Sequence, residues 1–156
     1  MKLRLRPAKI SDARRLWSWA NDPETRRASF TPGRIAWKDH LAWFRSKLAS
    51  KAVRIYIGVT PGARPLGQVR FEGDRPGRAV VSIVVAPAAR GKGVGRLLLA
   101  LGLPRAEKDL GVRTIHACVK MDNPASLALF RSAGFRRVRR LQRGGAPSVL
   151  LSRPAG

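Results

Sequence analysis

A glycine-rich segment between two apolar stretches constrains the fold of this 156-residue chain more than any other feature. Residues 79–85 are almost all apolar and rich in β-branched side chains, which predicts a buried strand. Three glycines, Gly91, Gly93 and Gly95, follow at alternate positions and leave little side-chain bulk beside the backbone. From Val94 onward, apolar residues recur every three or four positions, as on one helix face. The segment therefore predicts a strand, a tight loop and a helix that begins inside the loop.

The start of this helix is a candidate anion site. The N–H groups of a first helical turn have no partner within the helix, and the helix dipole makes that end positive. Arg90, Lys92 and Arg96 add three basic side chains around the same turn. Such a combination suits a pyrophosphate.

Two common nucleotide-binding motifs do not fit this segment. A P-loop needs Lys and then Ser or Thr at its end, whereas Arg96 and Leu97 follow Gly95, so no hydroxyl is placed for a magnesium ion. A dinucleotide loop has the spacing Gly-x-Gly-x-x-Gly, and here the third glycine comes one residue early. On these residues alone, a loop that merely turns a strand into a helix remains an equal alternative.

Two motifs together resemble a known family. Arg90, Gly93 and Gly95 are similar to the Arg/Gln-x-x-Gly-x-Gly/Ala signature of the GNAT superfamily of acetyl-CoA-dependent N-acetyltransferases. Downstream, the segment from Asn123 to Phe135 resembles the Asn-x-x-Ala/Ser-x-x-x-Tyr/Phe-x-x-x-Gly-Phe segment of the same superfamily. With both motifs in the right order, the chain is identified as a member of this superfamily.

The resemblance implies one α/β (α+β) domain over residues 1–156: the GNAT fold, a mixed, mostly antiparallel central sheet of about seven strands with helices on both faces. Its central strand and the strand after the next helix splay apart, which leaves a cleft for the pantetheine arm of coenzyme A. The resemblance implies acetyl-CoA as the acetyl donor and no metal. The residues that it assigns to coenzyme A are Ile83, Val85, Arg90, Gly91, Lys92, Gly93, Val94, Gly95, Arg96, Asn123 and Phe130.

Local patterns predict the helices at each end of this framework. Ser11 is the expected N-cap of a first helix, which Asn21-Asp22-Pro23 ends. A second helix is expected from about Ile35 to Leu48. Pro104 should kink or end the helix that follows the glycine loop, because proline lacks the N–H that an interior position donates.

A narrower resemblance concerns the acceptor. Residues 19–30 and 40–44 look like the N-terminal half of GNAT enzymes that acetylate UDP-linked amino sugars, and ribosomal-protein N-terminal acetyltransferases share part of this pattern. The resemblance places Glu24, Arg26 and His40 at the acceptor. The plainer interpretations are a solvated charge for Arg26 and a helix-surface residue for His40. Small amines remain a further alternative class of acceptor.

The implied chemistry is direct attack of a primary amine on the thioester. Glu72 is the first candidate for the general base, and Glu24 and His40 follow. Many relatives place a tyrosine where this chain has Phe130, and phenylalanine cannot protonate a leaving thiolate. Ser126 or water would then act, unless the thiolate leaves without an acid. The substitution also keeps open a non-catalytic domain that binds acyl-CoA or nucleic acid.

Composition narrows the partners and the compartment. Lys and Arg number 32 against nine Asp and Glu, a formal net charge of +23 that favours anionic partners. The basic residues are spread along the chain without a nucleic-acid motif, so nucleic acid is not the expected partner, and the phosphates of coenzyme A account for some of the basic residues. A single cysteine, no signal peptide and no apolar run of membrane length predict a cytoplasmic protein without membrane contact. A homodimer is compatible with the sequence.

Overall fold

A computed structural model describes residues 1–154 and contains one seven-stranded sheet in the order β1-β2-β3-β4-β5-β7-β6. Every neighbouring pair is antiparallel except β4 and β5, which are parallel. The strands are β1 (Arg4–Pro7), β2 (Val53–Val59), β3 (Pro65–Arg75), β4 (Arg78–Val85), β5 (Thr114–Lys120), β6 (Arg136–Arg143) and β7 (Ala146–Pro154). The predicted mixed, mostly antiparallel sheet is confirmed.

Helices cover both faces of the sheet. They are α1 (Ala13–Ala20), α2 (Pro23–Ala28), α3 (Trp37–Ala49), α4 (Val94–Leu110) and α5 (Pro124–Ser132). A Cβ added at Gly102 of α4 would come within 3.0–3.2 Å of Val69 and Phe71, so α4 packs tightly on that face of β3. Arg70 and Glu72 alternate with these residues and meet α3 on the opposite face, through Trp43 and Lys47.

The start of α1 differs from the prediction. A short 3-10 turn, Ile10–Asp12, comes first, and Ser11 is exposed within it rather than capping the helix. Asp12 takes the structural role instead: its buried carboxylate accepts hydrogen bonds from the Lys9 amide at 2.8 Å and from Arg6 at 2.8 Å on each oxygen. The Arg6 guanidinium binds a carboxylate in two-pronged fashion that a serine hydroxyl has no means to match.

Pro104 does not end α4, which continues to Leu110. The hydrogen bond that proline cannot donate would reach the carbonyl of Ala100, and both residues are exposed, so water can replace it. The opposite face of the helix stays buried through Leu98, Leu103 and Ala106. Packing on the sheet therefore holds the helix together across the proline.

The N-terminal helices also differ in number. Asn21 ends α1 as expected, but Asp22 then caps the unpredicted helix α2, accepting hydrogen bonds from the amides of Glu24 and Thr25, with Pro23 in the first position. The next helix, α3, begins at Trp37 rather than Ile35. Within residues 1–154, no helix is both long enough and apolar enough to cross a bilayer.

Candidate active site

A wedge-shaped cleft opens between β4 and β5. The two strands pair only from Arg78–Thr114 to Val80–His116, and no further pair joins them within residues 1–154. The Ala86 amide donates to Leu66 of β3, and N–H groups alternate in direction along a strand. The amides of Ile83 and Val85 therefore point away from β3, into the gap beside β5. The contact of these two residues with pantetheine stays a prediction.

The glycine loop lies at the wide end of this cleft. Gly91 and Gly93 have φ angles of +74° and +78°, which L side chains rarely adopt, and a Cβ at either position would meet nothing within 4 Å. Gly93 is also the N-cap of α4 and has no side chain to satisfy the first-turn amides. Lys92 and Arg96 are exposed around this turn. Open space, unpaired amides and two cations fit a pyrophosphate.

Two other residues of the loop have a packing role. The Val94 side chain is buried, so only its amide can face a ligand. Gly95 lies in the first turn of α4, where a Cβ would come within 3.2 Å of Leu129 in α5. A glycine at this position allows the two helices to approach closely. The predicted contacts of Val94 and Gly95 with coenzyme A therefore involve backbone atoms and not side chains.

Arg90 points away from the loop and toward α2. Its guanidinium donates to Asp22 at 2.6 Å and to the Thr25 hydroxyl at 3.1 Å, and it forms an ion pair with Glu24 at 2.8 Å. The hydrogen bond from Arg90 holds the pKa of Asp22 below its usual value. Arg90 thus joins the glycine loop to helix α2, and its charge is already balanced by carboxylates.

Helix α2 spans the mouth of the cleft from one splayed strand to the other. Arg90 holds its first turn beside β4, and Lys120 at the end of β5 donates to the Arg27 carbonyl at 2.8 Å. Just beyond the helix, Arg143 of the β6–β7 hairpin stacks over the Phe30 ring at 4.6 Å. Three separate contacts therefore hold α2 and the residues after it over the cleft. The sequence did not identify Lys120 as one of the residues involved.

Arg26 and His40 both lie against backbone carbonyls; the acceptor role of Arg26 stays a prediction, whereas that of His40 does not fit its burial. Arg26 donates to the Ala20 carbonyl at 2.6 Å and to the Thr31 carbonyl at 3.1 Å, so its guanidinium holds the chain around α2. His40 is buried, and its Nε2 lies 2.9 Å from the Ala13 carbonyl. Burial disfavours the imidazolium and lowers the pKa of His40. The assignment of His40 to the acceptor or to the base is corrected, because its ring faces the core.

Glu72 does not stand at the mouth of the cleft. Its partner on β4 is Val80, the last residue that still pairs with β5, so Glu72 lies at the closed end. It is paired with Lys47 and, at 2.9 Å, with Arg70. Burial opposes its ionisation, but these two cations outweigh burial and keep the pKa of Glu72 below its usual value. A carboxylate held in this way is a weak base, so Glu72 is corrected from first candidate to structural ion pair.

The downstream motif comprises the cap of α5, the whole helix and the turn after it. The Asn123 side chain caps the helix by accepting from the Ser126 amide at 3.2 Å. Phe130 is buried edge-to-face against Phe135, with ring centroids 5.1 Å apart. Ser126 is half-buried. The asparagine of the motif thus has a clear helix-capping role, whereas the proposed catalytic role of Ser126 stays a prediction.

One buried polar group has no partner. Gln68 of β3 lies opposite Val84, on the same face of the sheet as Arg70, and within residues 1–154 its side-chain oxygen accepts no hydrogen bond. An unpaired buried carbonyl is costly, which marks it as a place where a bound donor would be stabilising. In the sequence, the signal for this group is a glutamine that lies between the apolar residues Leu66 and Val69 of β3.

Comparison with known protein families shows to which family this chain belongs. The sequence profile of the acetyltransferase (GNAT) domain matches residues 2–136, most of the chain. The chain belongs to the GNAT acetyltransferase family. Enzymes of this family transfer an acetyl group from acetyl-CoA, and the splayed strands and glycine loop above lie inside the matched region.

Individual relatives of this GNAT chain act on different acceptors. It is 36% identical over 125 residues to the N-alpha-acetyltransferase RimI of Mycobacterium tuberculosis, covering 74% of this chain and 75% of RimI. It is 35% identical over 108 residues to a mycothiol acetyltransferase of Amycolatopsis mediterranei, covering 67% of this chain but only 33% of that protein. The match to YwnH of Bacillus subtilis also covers only part of that protein, 61% of its length.

Solved structures share the whole fold. The spermidine N-acetyltransferase of Vibrio cholerae, solved with CoA and spermine, superposes with a TM-score of 0.89 over 98% of this chain and 95% of that chain, at 19% identity. An N-acetyltransferase from Staphylococcus aureus Mu50 gives a TM-score of 0.85 over the full length of both chains, at 24% identity. At such identities the comparison establishes the GNAT fold and leaves the acceptor open.

Proposed function

We propose that this enzyme transfers the acetyl group of acetyl-CoA to the primary amine of a small acceptor that carries an anionic group, with a nucleotide-linked amino sugar as first candidate. The observation that supports it is the open end of the cleft between β4 and β5, where a phosphate-compatible glycine loop follows β4 and the buried ammonium of Lys120 lies under α2 at the end of β5. The two strands thus offer positive charge to two different substrates.

The donor would lie along β4. The pyrophosphate fits the amides around Gly93 and the side chains of Lys92 and Arg96, and pantetheine amides would pair with the backbone of Ile83 and Val85. Acetyl-CoA supplies an acetyl thioester, whose carbonyl carbon is the electrophile for the amine. Backbone N–H groups on the open side of β4 are placed to stabilise the oxyanion that forms at this carbon.

Proton transfers leave few candidates in this chain. Of the three predicted bases, only Glu24 remains a candidate; its exposed side chain pairs with Arg90. The unpaired oxygen of Gln68 would accept a hydrogen bond from the amine, which orients it without removing its proton. Phe130 has no proton to give, so the leaving thiolate would depart as such or be protonated by water or Ser126.

The charge of the acceptor side supports an anionic acceptor over a polyamine. Lys120 is 8% exposed and its described partner is a backbone carbonyl, so a carboxylate or phosphate reaching it would gain a charge-assisted hydrogen bond. The two acidic residues of α2 and its cap, Asp22 and Glu24, are both bound by Arg90. Polycations such as spermidine would need free carboxylates here.

A second candidate is the N-terminal amine of a protein. The specific support for it is the relationship to RimI, which covers about three quarters of both chains. A peptide acceptor would enter under α2 in the same way, and Lys120 would then face an acidic side chain or a backbone carbonyl of the peptide.

Turnover with a panel of amines tests the proposal. Thiol release from acetyl-CoA should be fastest with a UDP-linked amino sugar, weaker with an N-terminal peptide and weakest with spermidine. A preference for peptide would select the second candidate and exclude the first. If no amine supports release while acetyl-CoA binds, the enzyme assignment for this chain is wrong.

Lys120→Met should raise KM for the anionic acceptor by about tenfold or more, because a charge-assisted hydrogen bond contributes about 1.5–3 kcal/mol. KM for acetyl-CoA should change less than about twofold. Lys92→Met is the matched control, since it removes an exposed ammonium from the glycine loop and should raise KM for acetyl-CoA alone. Equal effects of both variants on both substrates would contradict the placement of donor and acceptor.

A further inference from the structure

Strand β6 concentrates positive charge at one edge of the sheet. It has the sequence Arg-Arg-Val-Arg-Arg-Leu-Gln-Arg over Arg136–Arg143 and, among residues 1–154, pairs on one side only, with β7. All five arginines are exposed. The last acidic residue of the chain is Asp122, so neither β6 nor its partner strand contains a carboxylate that would balance them.

The arginines line both faces of this edge. Arg136 and Arg139 lie opposite Ser152 and Leu150, whereas Arg137 and Arg140 lie opposite Leu151 and Val149. Facing residues of neighbouring strands share a face, and adjacent positions alternate, so each face carries a pair of guanidinium groups. From Arg136 to Arg143, these charges extend over roughly 23 Å of strand.

Neither stability nor protection of the edge accounts for so many charges. Like charges within about a Debye length, roughly 8–10 Å at moderate salt, repel each other and destabilise the free protein. Charged side chains keep an exposed strand from pairing with another chain, but short strands, prolines and bulges do so without a row of like charges. The excess indicates a ligand that supplies the missing negative charge.

We infer that β6 is a binding surface for the phosphate backbone of single-stranded nucleic acid, separate from the acetyltransfer site. A second copy of the chain does not fit this edge, since β6 against β6 would bring arginines opposite arginines. A membrane surface fits poorly, because Val138 is the only exposed large apolar residue of β6. A linear array of guanidinium groups matches a linear array of phosphates.

Binding at this surface does not depend on the base sequence of the nucleic acid. Strand β6 contains no aromatic residue that would stack on a base, and arginines along an extended strand contact phosphates. Affinity should therefore depend strongly on salt and weakly on base composition. RNA and DNA offer the same phosphate chemistry, so parallel measurements with each are needed to distinguish them.

Fluorescence anisotropy with labelled single strands of about 12 nucleotides tests the inference. The variant replaces Arg136, Arg137, Arg139 and Arg140 with glutamine and leaves Arg143, which packs on Phe30. The matched control removes the same number of charges from exposed positions elsewhere, at Lys38, Arg45, Lys51 and Arg64. RNA and DNA probes of one sequence and anionic phospholipid vesicles form the three arms.

The β6 variant should bind oligonucleotide about tenfold or more weaker at low salt, and the slope of log affinity against log salt should fall by about three, at roughly 0.7 per lost phosphate contact. The control should stay within about threefold of the parent. Acetyl-CoA turnover should be unchanged in both variants. Equal losses in variant and control would overturn the inference, as would full binding by the β6 variant, or β6-dependent binding of vesicles without binding of either oligonucleotide.

Discussion

Gly93→Val is expected to raise KM for acetyl-CoA by at least about tenfold while leaving the fold intact. Gly93 has φ +78°, and an L side chain in this region costs about 1–2 kcal/mol, more when it is β-branched. A Cβ there would meet nothing within 4 Å, so the new side chain would occupy the open space proposed for the pyrophosphate. Strain and bulk both act where the donor binds. Steady-state kinetics at saturating acceptor measures the effect.

Gly111→Val supplies a matched control at the other end of the same helix. Gly111 is the C-cap of α4, has φ +63°, and likewise meets nothing within 4 Å of an added Cβ. Both variants should therefore lower Tm by similar amounts, since both strain one left-handed residue. Only Gly93→Val should change KM. An equal rise of KM in both variants, or no rise in Gly93→Val, would show that the loop is not the donor site.

The elements that the sequence predicted well are those written in contiguous residues. The strand predicted over residues 79–85 is found as β4, Arg78–Val85, because a run of apolar, β-branched side chains is typical of an inner strand. The glycine loop likewise depends on local backbone chemistry. The topology, in particular the divergence of β4 from β5, was predicted from the family resemblance and not from local patterns.

The short helix α2 escaped prediction because it has six residues and no buried side chain, so no periodicity marks it. The Asp22 cap followed by Pro23 was its one local signal. Its place over the cleft depends on partners distant in sequence, Arg90 and Lys120. Contacts of this kind follow from how strands and helices are assembled, and no local pattern contains them.

The error at His40 had a visible signal. Trp37, His40, Leu41 and Phe44 occupy positions i, i+3, i+4 and i+7 of α3, so the histidine lies on the apolar stripe and not on the surface. It packs among aromatic rings, within 6.1 Å of the Trp37 ring centroid and 6.0 Å of that of Phe44. The error at Glu72 had no such signal, because Lys47 reaches it from another element.

Asp12→Asn is expected to lower the free energy of unfolding by about 3 kcal/mol. The Asp12 side chain is 3% exposed and receives two hydrogen bonds from Arg6 and one from the Lys9 amide. Losing the charge of one partner in a buried ion pair typically costs 3–5 kcal/mol, and the 24% exposure of Arg6 places this pair at about the lower end. An asparagine amide would also present N–H groups to one guanidinium prong. Urea unfolding at neutral pH measures the loss.

Asp74→Asn is the matched control, because it breaks an aspartate–arginine pair with Arg78 on the surface of the β3–β4 hairpin. Its carboxylate is a third exposed, so the expected loss is at most about 1 kcal/mol. If Asp74→Asn destabilises the protein as much as Asp12→Asn, burial is not what makes the Asp12 pair important.

Acid should remove the difference between the parent protein and Asp12→Asn. Burial opposes ionisation of Asp12, but the hydrogen bonds from Arg6 and the Lys9 amide outweigh it, so its pKa in the folded protein lies below the usual value. A carboxyl with a lowered folded pKa binds its proton more readily in the unfolded chain. Its stabilisation is therefore complete above the unfolded pKa of about 3.9 and is lost as pH falls through the folded pKa. The gap in unfolding free energy should stay constant from about pH 7 to pH 5 and shrink below about pH 4, whereas a gap independent of pH would show that the ionised carboxylate is not the stabilising group.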